Sequence, residues 1–178
     1  MAMLMAFIPF IAFAVLAQHL GIFPALLAAT LLSAVALLRS WRATRRLLAL
    51  ECAALAIFAA LLAWSAVAHE NVSLFAVRLA GDAGFMLVAL GSMLIHCPFT
   101  LQYQPRPAGP LSPQALRVHN AITLGWTLAF AAMAAMDLAM LTDPALPARL
   151  ALVVTVIALV AAIKFTKWYP GQVRRPLA

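Results

Sequence analysis

Apolar stretches long enough to cross a lipid bilayer recur along almost the whole chain. A hydrocarbon core about 30 Å thick is crossed by about 20 helical residues, with about 17 as the practical minimum. Lipid offers no partner to an unsatisfied backbone group, so such stretches must be helical. Of the 178 residues, 66% are hydrophobic and 10% charged. Soluble domains average about 45–50% apolar and about 25% charged, which excludes a water-soluble fold here. The fold class is therefore all-α, a polytopic transmembrane helical bundle forming one integral membrane domain over residues 1–178.

Six spans are expected: 3–17 (short), 22–38, 47–68, 74–95, 121–141 and 150–165. Gln18, His19, Gly21 and Pro24 separate the first two, which fits either a tight hairpin or a re-entrant pair. The segment 97–118 holds Pro98, Pro105, Pro107, Pro110 and Pro113 and reads as an extended cytoplasmic linker.

Orientation follows from charge. Arg39, Arg42, Arg45, Arg46, Arg106, Arg117, Lys164, Lys167, Arg174 and Arg175 fall on one face, and only Arg78 and Arg149 on the other. Positive residues favour the cytoplasm, so both termini are expected there. Trp41, Trp168 and Tyr169 fall at that headgroup level and Trp64 near the opposite one.

The net charge of +7 is distributed between apolar segments, which points to membrane orientation and not to nucleic acid as a partner. The cluster Arg39, Arg42, Arg45 and Arg46 is expected to bind anionic lipid headgroups. Cys52 and Cys97 are placed on the reducing side, so no disulfide is expected.

Polar residues at membrane depth are costly and mark packing or function. At 100° per residue, Arg78, Asp82, Ser92 and His96 share an arc of roughly 80° on the fourth helix. His119, Thr123, Thr127 and Asp137 form a stripe on the fifth. The two stripes suit structural glue, in which Arg78 pairs with Asp82 or Asp137, or a conduit for a proton or small cation. Gly81, Gly84 and Gly91, and separately Ala131, Ala135 and Ala139, read as close-packing faces, with a homo-oligomer left open.

The histidines His19, His69, His96 and His119 form no HxxxH or HxxHH box. His96, His119 and Cys97, with Glu51 and Cys52, are the candidate metal or haem ligands of a redox-subunit reading, although no cofactor is expected. Phosphate loop, GxSxG and HExxH are all absent, which leaves hydrolases and nucleotide enzymes without a motif. The sequon Asn71-Val72-Ser73 lies too near a span to be a good glycosylation acceptor.

Two segments carry a resemblance. The opening Phe7-Ile8-Pro9-Phe10, in an uncharged hairpin closed by an arginine-bearing loop with Ser40 and Trp41, resembles the intracellular septation protein A family. So does the run 120–130 with Asn120, Trp126 and Phe130. Pro98-Phe99-Thr100-Leu101-Gln102-Tyr103 looks like a signature of uncharacterised bacterial membrane proteins and departs from the septation family's more basic segment. The resemblance implies a bacterial inner-membrane protein of non-enzymatic type. Such a protein would assist envelope synthesis or division through contacts with other membrane or envelope proteins, and the family offers no catalytic residues to carry over.

Overall fold

The computed structural model describes residues 7–68, 73–104, 112–143 and 145–174. Every regular element among them is helical: α1 (Ile8–Leu20), α2 (Ile22–Thr44), α3 (Ala49–Ala68), α4 (Leu74–Leu94), α5 (Phe99–Gln102), α6 (Pro113–Thr142) and α7 (Ala148–Arg174). Five of these, α2, α3, α4, α6 and α7, are long and apolar enough to cross a membrane. The protein is thus a multi-pass integral membrane protein of the helical class. The 13 residues of α1 extend only about 20 Å at 1.5 Å per residue, short of a complete crossing on their own.

The chain divides into two compact units, Met1–Phe85 and Met86–Ala178, with the boundary inside α4. In the first unit a single residue, Gly21, joins α1 to α2. Its φ of 85° and ψ of 172° lie in a region open essentially to glycine alone. Through this turn α1 and α2 pack on each other, an arrangement common to the hairpin and the re-entrant pair. Phe13, Ala25, Leu26, Ala29, Phe58 and Val77 form the buried core. Phe10 bridges Phe58 and Phe85 at ring separations of 4.5 and 4.7 Å, and Phe7 meets Phe85 edge-on at 5.7 Å. Phe7-Ile8-Pro9-Phe10 accordingly acts as a helix start with Pro9 in the first turn, where no amide partner is lost. Gly81 lies against Phe10 and Gly84 against Ile57, so both admit close packing, whereas Gly91 faces open space.

In the second unit α6 and α7 pack along each other. Gly125 permits this approach, because a Cβ there would stand 2.9 Å from Phe165 Cδ1. Trp126, wholly buried, donates from Nε1 to Thr166 Oγ1 at 2.9 Å. The alanine face expected on this helix is not the packed one: Ala135 is exposed, and Phe130, Met133, Ala134, Asp137 and Met140 are buried instead.

The segment 97–118 departs most from expectation, being no extended linker at either of its described ends. Phe99–Gln102 forms the short α5, and Phe99 is 0% exposed. Pro113 opens α6 instead of interrupting a helix: it occupies the first turn, and the Ser112 side chain accepts from the Ala115 amide at 3.1 Å. Hence α6 begins eight residues before the expected Ala121, by the difference 121 − 113. The last helix likewise passes Phe165 and continues through Pro170 to Arg174. Met3–Ala6, His69, Asn71, Val72, Pro105, Arg106, Pro107, Pro110 and Arg175 lie outside the described residues.

Candidate functional site

A polar cluster joins α4, α5 and the first turns of α6 in the second unit. After α4 ends, His96 takes a left-handed conformation, φ 54°, and the amide of Cys97 returns to the Ser92 carbonyl at 2.9 Å. This turn directs Pro98 and Phe99 back onto the helix end. The Ser92 hydroxyl donates to the Ala89 carbonyl at 2.7 Å and accepts from the Phe99 amide at 3.0 Å, which satisfies a donor at the start of α5.

One turn into α6, the Thr100 hydroxyl donates to the His119 carbonyl at 3.2 Å. The same oxygen lies 3.2 Å from His119 Nδ1 and 3.0 Å from the Thr123 hydroxyl. A hydroxyl carries one proton and a carbonyl can only accept. That one proton serves one of the three neighbours at a time, so whether His119 Nδ1 donates to Thr100 or accepts from it is set by the ring's tautomer. Thr123 is 0% exposed, and Thr127 donates back to the Thr123 carbonyl at 2.9 Å.

The expected stripe is therefore assembled only in part. Ser92, His119, Thr123 and Thr127 do line the interior of this unit, together with Thr100, which the sequence placed in a linker. His96 and Cys97 are exposed in the turn. His96, on a left-handed turn residue, leaves the helical arc on which its grouping with His119 relied. Among the described residues no set of three His, Cys, Asp or Glu side chains converges on a metal position. Asp137 is fully buried within α6. Arg78 and Asp82, both half-buried, belong to the first unit, where the Arg78 guanidinium lies 5.9 Å from the Phe75 ring centre.

At the end of α2 a second polar contact closes the first unit. Glu51, 5% exposed in the first turn of α3, accepts from the Ser40 hydroxyl. The adjacent Arg39, Arg42 and Arg45 are exposed and Arg46 half-buried. Arg45 adopts φ 56° as the cap of α2, donates its amide to the Trp41 carbonyl at 2.7 Å, and stacks 5.6 Å from the Trp41 ring centre. Exposed guanidiniums beside an exposed interfacial tryptophan are suited to lipid headgroups.

No family model, curated protein or solved structure matches the chain. The chemistry of its site must be argued from its own residues. Sequence inspection missed Thr100, Ser40 with Glu51, and the Trp126–Thr166 pair. A Ser or Thr beside a proline-flanked turn was the available signal for the first. Nothing local connects residues 40 positions apart in sequence.

Proposed function

We propose that this is a bacterial inner-membrane protein of non-enzymatic type, which acts by presenting its proline-rich cytoplasmic segment to another membrane or envelope protein. The carrying observation is the anchoring of both ends of that segment. Phe99 and Thr100 are buried before it, with Thr100 hydrogen-bonded to His119 and Thr123, and Ser112 caps α6 after it. Fixed anchors on either side set where the chain leaves α5 and where it enters α6. The composition between the anchors, with Pro105, Arg106, Pro107 and Pro110, is of the kind recognised in polyproline form. The resemblance to septation protein A supports a partner in envelope synthesis or division.

Photo-crosslinking in cells tests this reading. A photoreactive residue at Arg106 is expected to give a discrete protein adduct that disappears when Pro105, Pro107 and Pro110 are replaced by Gly or Ser, while one at the exposed Leu128 gives none. Adducts of equal pattern at both positions would refute it. One observation favours a second reading: Asp137, 0% exposed, is a carboxylate within a membrane-spanning helix, and such groups mark ion or proton pathways. Proton flux into liposomes that Asp137→Asn abolishes would establish that alternative.

A further inference from the structure

The start of α6 and the end of α7 enclose an open cleft of about 620 Å³, whose polar lining is Ser112, Gln114, Arg117 and Tyr169, with Val173 at its floor. We propose that this cleft holds the phosphate of an anionic phospholipid.

The lining is mostly apolar, with Pro113, Val118 and Val173 beside the four polar side chains, and contains no acidic one. Arg117 is exposed and has no ion pair or hydrogen bond with any described residue. Its guanidinium therefore presents a planar fork of N–H groups, the geometry that engages phosphate oxygens in pairs. Gln114 uses one amide proton on the Val173 carbonyl at 3.3 Å, tying the two helices together, and keeps a second to donate. The Tyr169 ring is stacked on Phe165 at 5.0 Å with 25° between planes, which fixes the direction of its hydroxyl. Ser112 accepts from Ala115 while its own proton remains available. Because Ser112 already caps α6, the anion would be held by side chains and not by an open helix terminus.

Depth selects lipid over a soluble anion. The 30 residues of α6 are about 45 Å long, about 15 Å more than the hydrocarbon core. Tyr169 and the exposed Trp168 sit at the end of the last span, where interfacial aromatics mark the headgroup layer. Toward the membrane centre α6 exposes Leu124 and Leu128, which at 100° per residue lie within about 20° of Arg117 and offer an apolar surface on which an acyl chain can lie. The volume also falls in the range of about 300–1,000 Å³ typical of small-ligand sites.

The test is native mass spectrometry of the full chain released from nanodiscs of mixed phosphatidylglycerol and phosphatidylcholine. The intact protein should retain phosphatidylglycerol preferentially. In Arg117→Gln the retained fraction should fall by about tenfold, as expected for loss of a paired charge-assisted contact. Tyr169→Phe, which keeps the ring stack, should cause a smaller fall, and Arg149→Gln, an exposed arginine at the opposite end of α7, should have no effect. Unchanged helical circular dichroism certifies the fold of each variant, and Arg117, being exposed, is not required for it. Equal retention of the two lipids would overturn the proposal, as would an Arg149→Gln effect matching that of Arg117→Gln. Displacement of the lipid by millimolar inorganic phosphate would reassign the cleft to a soluble anion and overturn it likewise.

Discussion

Replacing Thr100 by valine keeps the side-chain shape and removes one hydroxyl that contacts three polar atoms. Counting three lost bonds would overstate the cost. The His119 carbonyl lies inside α6, where it also serves the helical i+4 amide. The Thr123 hydroxyl, released from Thr100, can turn back to that same carbonyl, as Thr127 already does toward Thr123. Only His119 Nδ1 then lacks a partner, and its half-buried side chain can recruit water. The net loss should be that of a single hydrogen bond, about 1 kcal/mol. This account makes a second prediction. Thr123→Val removes the repairing hydroxyl, so with the rotation the costs of Thr100→Val and Thr123→Val should add, whereas without it the double variant should cost about 0.5–1 kcal/mol less than their sum. Reversible unfolding in mixed detergent micelles, followed by circular dichroism, measures all four corners of the cycle. A Thr100→Val cost above about 3 kcal/mol would mean that all three partners are stranded in a dry site. A double variant that costs clearly less than the sum of the two singles would refute the rotation of Thr123.

Other outcomes are expected. Gly84→Ala should destabilise by about 1–3 kcal/mol through collision with Ile57, whereas Gly91→Ala, facing open space, should be neutral or slightly stabilising; the same unfolding assay compares them. Gly21→Ala should cost about 1–3 kcal/mol because its φ of 85° with ψ of 172° excludes a Cβ, again read by unfolding. Trp126→Phe should lose about 1–2 kcal/mol, the indole bond to Thr166 together with part of the packing, and Thr166→Val should lose less, since it leaves the ring in place. Exposed Cys97 should react with an impermeant maleimide in inside-out vesicles and stay protected in intact cells; the reverse pattern would invert the orientation inferred from charge.

Pattern alone specified the class of this protein, because bilayer thickness imposes a length and lipid imposes a helix wherever the chain runs apolar. The five long helices coincide with expected spans for that reason, and the exposed Trp41, Trp64 and Trp168 match aromatics placed by position. Gly81 and Gly84 were legible as close contacts, since a missing side chain on a helix has few other uses in a membrane. Helix ends were not legible. Pro113 is a helix breaker in one context and a first-turn residue in another, and the Ser112 cap decides between them. His96 left the polar stripe because a left-handed turn residue breaks the angular register from which the stripe was projected. Thr100 entered it because the turn after α4 folds Phe99 and Thr100 inward, a reversal with no periodic signature. The spans were fixed by solvent, whose demand acts on each segment separately. The site was fixed by tertiary structure, because a hydroxyl such as that of Thr100 acquires its partners only when residues 19 and 23 positions away are brought within 3.2 Å.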